Sequence, residues 1–148
     1  MTLVLQYPKH EVMLRQKSVR VVKASQELID DMTEYQGKCL GLAAVQLGIP
    51  VRLIMVRYGD GYIFLANPEV VKVSKQIGLL REGCLSIGRG KDLYPIHRPK
   101  RIKVRYMDLG GNRRTIKTEG LTARSLQHEI DHLEGKLIID YEPKNKAG

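Results

Sequence analysis

With 148 residues and a formal net charge of +9, the chain is long enough to bury one core without disulfide staples and basic enough to favour contact with polyanions such as ribosomal RNA. Its apolar content is ordinary and it holds one Phe and no Trp, so aliphatic side chains build most of the core and a disordered class is excluded. The N-terminal MTLVLQYPKHEVM shows neither a signal-peptide run nor an Arg/Ser-rich transit pattern, and no stretch approaches bilayer-spanning length.

The expectation is therefore a cytoplasmic protein without membrane or DNA partners, an organellar mature form being compatible. In chain order, SQELIDDMTEY predicts a helix, with Ser25 as N-cap, Glu27 in the first turn, and Leu28, Ile29 and Met32 on one face, ending near Gly37. GKCLGLAAVQ follows, where Gly41, Ala43 and Ala44 leave room for a ligand against the backbone beside Cys39. VRLIMVRY at 51–58 predicts a strand after the turn signal LGIP, and YIFLANPEVVKVS predicts two short strands parted by Asn67 and Pro68. In REGCLS, the surrounding Leu79, Leu80, Leu85 and Ile87 place the Cys84 thiol inside, and Gly83 allows close backbone approach.

From Arg89 to Lys117 there are ten Lys or Arg residues against two acids, Asp92 and Asp108. Within RIKVRYMDLGGNRRTIKTEG, a predicted hairpin turning at Gly110 and Gly111, the residues Arg101, Lys103 and Arg105 alternate with Ile102, Val104 and Tyr106. That strand has one basic and one apolar face, the basic one serving as a solvated sheet surface or as a nucleic-acid contact. A last helix is predicted from about Thr122 through His132, stopping before Gly135. KLIIDY then adds a strand or packs on the core, and the polar tail at about 142–148 is expected to be loose. With no repeat or linker, the reading is one α+β domain over 1–148, with antiparallel or mixed sheets around a central helix carrying HEIDH.

QHEIDH at Gln127 to His132 carries the chemistry. Two histidines four apart on a helix lie on one face about one turn apart, so both imidazoles reach one ion while Glu129 lies beside it. A third donor is required, from His10, His97, Cys39, Cys84 or a carboxylate. The two cysteines stand out by context, although burial alone would explain either. Without a secretion signal they are expected as free thiols or metal ligands, not a disulfide.

GLAAVQ at Gly41 to Gln46, EGCLS at Glu82 to Ser86 and QHEIDH at Gln127 to His132, in that order, resemble the three signature motifs of the peptide deformylases, over nearly the whole chain. The resemblance implies one divalent metal ion held by Cys84, His128 and His132. It implies Fe(II) as the native ion, with Zn(II), Ni(II) or Co(II) able to replace it, although a thiolate with two imidazoles suits zinc at least as well. It further implies Glu129 as the acid and base, and the Gln46 side chain with the Leu85 backbone N–H as oxyanion donors. The implied substrates are N-formylmethionyl peptides, with formate released. Leu40, Leu80, Leu121 and Ser125 would line the methionine pocket, Leu40, Gly41 and the segment at Gly83 would pair with the peptide, and Glu82 would support the site. Asp131 is expected on the helix surface or as an acceptor for a ligand imidazole.

Three features depart from the family pattern. Cys39 stands where the first motif commonly has glycine, adding a side chain and an oxidisable thiol. Arg89 and Lys91 are both candidates for a substrate-orienting cation. The chain stops soon after IIDYEP, without the long C-terminal helix some members use to dock on the ribosome, a role the basic surface could take. The expectation is a monomer with transient ribosome contact. The rivals are a deformylase-like protein with altered N-blocked-peptide specificity, a zinc endopeptidase, and a ribosome- or RNA-binding module with a structural metal.

Overall fold

Runs rich in β-branched and other apolar residues from Leu53 onward produce antiparallel strands, described over residues 2–141 in a computed structural model. Strands β1 (Gly41–Ala43), β2 (Leu53–Tyr58), β3 (Gly61–Val73), β6 (Arg101–Met107) and β7 (Arg113–Glu119) form a five-stranded sheet in the order β1-β2-β3-β6-β7. Strands β4 (Ile77–Glu82) and β5 (Tyr94–Pro99) form a separate two-stranded ribbon. Helix α3 (Gly120–Leu133) packs on β1, β2 and β7 and also meets β5, so it lies between the sheet and the ribbon.

The sheet is covered on both faces near β1 and β2. Helix α2 (Gln26–Thr33) buries Leu28 and Met32 against Leu42, Leu53, Met55 and Ala66, while α3 buries Ala123, Leu126 and Leu133 against Ile54, Val56, Leu65, Ile102 and Val104. A third cluster joins Leu14 of the four-residue helix α1 (Glu11–Leu14) to Cys84, Ile87, Ile96, Leu137 and Ile138. At 25 cal/mol per Å² of apolar surface, each fully buried Leu or Ile contributes about 1.5–3 kcal/mol before entropy is counted.

Several sequence expectations are refined. Ser25 caps α2 as predicted, its Oγ accepting the Leu28 N–H at 3.2 Å, but the α-helix ends at Thr33 and passes through tighter turns, Tyr35 N–H to Met32 O and Gln36 N–H to Thr33 O, before Gly37. Residues 61–73 form one strand, not two. Its register slips between Ala66 and Glu69, and the Asn67 side chain at that bulge pairs with Val21, accepting its N–H at 2.8 Å and donating to its carbonyl at 2.7 Å. The missing N–H of Pro68 thus falls where the ladder is already interrupted.

The β6–β7 hairpin turns as expected, with Asp108 Oδ1 accepting the N–H groups of Gly110 and Asn112. Helix α3 begins two residues earlier than predicted. KLIIDY contributes no strand: Leu137 and Ile138 pack into the third cluster and Ile138–Tyr141 forms a 3₁₀ turn. The ribbon itself escaped prediction because its pattern is inverted. Leu79 and Leu80 are exposed, whereas the buried positions of β5 are Ile96 and the charged Arg98. The tail at 142–148 lies outside the described residues.

Candidate metal centre

The apolar stripe Ala123, Leu126, Ile130 and Leu133 turns one side of α3 to the sheet, which swings Arg124, His128 and Asp131 toward the ribbon. Cys84, 4 % exposed, enters from the loop after β4. One ligand atom from each of Cys84, His128 and His132 lies within 4.8 Å of the others, and all three residues are buried. Cys84 Sγ is 3.4 Å from His132 Nε2. His128 Nδ1 lies 3.0 Å from Glu82 Oε1, which leaves its Nε2 for the cluster. Thiolate with two imidazoles, gathered this closely and out of water, is a donor set that fits a single divalent transition-metal ion.

Glu82 is the hub of the surrounding charge network. It accepts from Arg98 Nε at 2.6 Å and a terminal Arg98 nitrogen at 2.9 Å, from Arg124 at 2.6 Å, and faces the His128 ring. Arg98 continues to Asp131 at 2.9 Å, which also accepts from the Tyr141 hydroxyl at 2.7 Å. Arg124 is further tied to the carbonyls of Ile96 and Gly78. Burial works to raise the Glu82 carboxyl, but the hydrogen bonds from His128 and Arg98 and the Arg98 charge outweigh it, holding the group at about 2. Burial likewise opposes the Arg98 cation, and Glu82 with Asp131 reverses that, raising its pKa. Glu82 is therefore no surface carboxylate, and it, not Asp131, faces the His128 imidazole.

Glu129 is 3 % exposed, and its Oε1 has no hydrogen-bond partner among the described residues. Its Oε2 is 3.9 Å from His128 Nε2. Burial lifts the Glu129 carboxyl to about 7. Gly41 makes room for it, since a Cβ there would stand 2.6 Å from Oε2. Gln46 is oriented from its own turn: Oε1 accepts the Ala43 N–H at 2.9 Å, so Nε2 points inward, donating to Ser86 Oγ at 3.1 Å and lying 3.7 Å from Cys84 Sγ. The Leu85 carbonyl accepts from Gln6, while no acceptor among the described residues takes its N–H.

A cavity of about 280 Å³ joins these groups. Leu40, Gly41, Leu80, Glu82, Gly83, Leu121 and Ser125 all line it, together with Gln46, Cys84, Leu85, His128 and Glu129. Gly83 is needed here because a Cβ would come within 2.9 Å of the Gly90 carbonyl. Cys39 also lines the cavity, half-buried, with Sγ donating to the Tyr35 carbonyl. Burial, then the nearby Glu129 charge, pushes this thiol up to about 12, which keeps it protonated and suppresses the oxidation its position suggests. Arg89 and Lys91 are exposed and do not line the cavity, whereas Arg81 does. His10 accepts the Gln6 N–H and His97 is exposed on β5, so neither joins the cluster. Arg98 and Arg124 were not singled out from the sequence. The signal for Arg124 was its place on the same helical stripe as His128, four residues away.

The sequence model of the family described as polypeptide deformylase matches residues 1–147. The chain belongs to this family. A peptide deformylase of Bartonella tribocorum is 42% identical over 132 residues, covering 82% of this chain and 72% of the relative. One of Agrobacterium fabrum is 40% identical over 139 residues, covering 86% and 80%. Among solved structures, the peptide deformylase of Ehrlichia chaffeensis in complex with actinonin superposes with a TM-score of 0.87 at 36% identity, covering 99% of this chain and 92% of that one. The Thermotoga maritima peptide deformylase gives 0.87 at 34% identity, covering 97% and 98%.

Proposed function

We propose that the chain is a metal-dependent peptide deformylase that hydrolyses the formyl amide of N-formylmethionyl peptides and releases formate. The observation that carries this is the buried Glu129 carboxylate, with an unpartnered Oε1, beside the Cys84, His128 and His132 cluster in an apolar-walled cavity. Those three residues would hold one ion, Fe(II) in the native protein with Zn(II), Ni(II) or Co(II) as replacements. When bound, a divalent ion supplies Lewis acidity for the formyl carbonyl and for an attacking water.

Glu129, with its carboxyl lifted to about 7, exchanges a proton near neutral pH: it takes one from the water and delivers it to the leaving amine. Gln46 Nε2 and the Leu85 N–H donate to the developing oxyanion, each supplying a few kcal/mol, on the order of 3. Glu82 holds the His128 ring orientation. Leu40, Leu80, Leu121 and Ser125 receive the methionine side chain, and Gly41 and Gly83 let the extended peptide approach the backbone. The same reading makes the protein a cytoplasmic monomer that meets nascent chains near the ribosome, supported by its net charge of +9.

Formate release from formyl-Met-Ala-Ser, measured beside acetyl-Met-Ala-Ser and an unblocked peptide cleavable only internally, tests the reading. Release from the formyl peptide alone is expected. Internal cleavage would favour the endopeptidase. A second reading, altered preference among N-blocked peptides, rests on Cys39 in the cavity wall, and it requires that Cys39→Gly change the ratio of formyl to acetyl turnover.

A further inference from the structure

One face of the five-stranded sheet is only half covered. At the β1–β2 end, Leu53, Met55, Ala66 and Met107 lie on the face that packs toward α2. Following the pairing outward from Met107, the same face carries Arg101, Lys103 and Arg105 of β6 and then Arg113, Lys117 and Glu119 of β7, and α2 does not extend over them among the described residues.

The rungs across this bare end differ in charge. Glu69 pairs with Arg105, and Arg101 pairs with Glu119, so those two rungs set opposite charges against each other. The rung between them sets Lys72 opposite Lys103 and Lys103 opposite Lys117, three ammonium-bearing side chains in line across three strands. At about 4.8 Å per strand the row spans about 10 Å. Among the described residues, no carboxylate lies within ion-pair distance of any of the three. Like charges directly opposite destabilise a sheet, and the nearest acids on this face, Glu69 and Glu119, sit on the flanking rungs opposite Arg105 and Arg101. A cleft of about 460 Å³ opens beside it, lined in part by Lys72, Arg101, Lys103 and Lys117, with Val73 and Glu119 also on its wall.

We propose that this lysine row is a phosphate-binding site, through which the bare end of the sheet docks the sugar-phosphate backbone of a folded RNA. The neighbouring side chains select that partner. None of Arg101, Lys103, Arg105, Arg113, Thr115 and Lys117 offers a ring to stack an unpaired base or an apolar wedge for a lipid surface. The cations are spread across a broad sheet face, which matches the wide, shallow groove edged by phosphates that an A-form duplex presents. The site is separate from the metal centre and does not depend on the deformylase reading.

The test is fluorescence anisotropy of a labelled RNA hairpin over a salt series, with a DNA duplex of the same sequence and vesicles of phosphatidylglycerol and phosphatidylcholine as the other arms. Wild-type protein is expected to bind the hairpin best. Lys72→Gln/Lys103→Gln/Lys117→Gln is expected to weaken that binding about tenfold or more at 0.1 M salt and to lower the salt slope by about 2.7, near 0.9 per lost phosphate contact, with formate release unchanged. Lys103→Gln alone is expected to raise the melting temperature, because it removes the central repulsion. An unchanged salt slope in the triple variant, tighter binding to DNA or vesicles than to RNA, or a lowered melting temperature for Lys103→Gln would each overturn the proposal.

Discussion

The two sides of α3 solve different problems. Toward the sheet, Ala123, Leu126 and Leu133 meet Ile54, Val56, Leu65 and Val104 in a dry apolar cluster. Toward the ribbon, Arg124, His128 and Asp131 meet Glu82 and Arg98 in a buried network of charges. The first side anchors the helix through non-directional burial, which tolerates small shifts. The second depends on direction and pairing, since each buried charge is costly unless its partners stay in place. Stability is thus concentrated on one side and ligand orientation on the other, although a single helix carries both.

Removing a charge should hurt both properties. Arg98→Met leaves the buried Glu82 and the half-buried Asp131 with fewer partners, and it should cost about 3–5 kcal/mol in urea unfolding while weakening metal affinity about 10–100-fold in a competition titration, because the Glu82 contact to His128 loses its support. Leu126→Ala should cost about 2–5 kcal/mol through the cavity it leaves, with metal affinity unchanged. If the leucine variant loses as much metal affinity as the arginine variant, the division between the two sides is wrong.

A smaller effect is expected where the backbone meets Glu129, the proposed general base. Gly41→Ala places a Cβ 2.6 Å from the present Glu129 Oε2 position, so the carboxylate must move. Turnover should fall about 100-fold, the scale of a misplacement near 1 Å, with metal content retained by elemental analysis.

The smallest effect concerns acid stability of the metal-free protein. Glu82 is held at about 2 against an ordinary 4.5. Its folded-state value is depressed, so its contribution is fully present above about pH 4.5 and is lost as pH falls toward 2. Glu82→Gln should therefore show a flatter dependence of unfolding free energy on pH across that window, and an identical slope would contradict the assigned pairing.

Much of the site was legible because its residues are close in sequence. His128, Glu129 and His132 share one helical turn, whereas Cys84 was separated from Cys39 only by the resemblance of EGCLS to a family motif, since Leu79 and Leu80 near it are exposed. Strand β6 shows the alternation that half-buried strands require, while β2 reads as a continuous apolar run because it is buried on both faces. The network was less legible because its members come from distant segments: Arg98 reaches Glu82 across 16 residues and Arg124 reaches it across 42. Arg98 also occupies a buried position in a strand where pattern reasoning looks for an apolar residue, so β5 hid both itself and its role. Asn67 misled in the opposite sense, since a turn signal proved to be a bulge held by Val21.

The central claim is that Glu129 moves the proton in a site whose metal is held by other residues. The direct test compares wild type with Glu129→Gln, both loaded anaerobically with Fe(II), for bound metal per chain and for formate release from formyl-Met-Ala-Ser. Equal metal content with turnover in the variant reduced about 100- to 10,000-fold is the predicted result. Equal metal content with undiminished turnover would contradict the account.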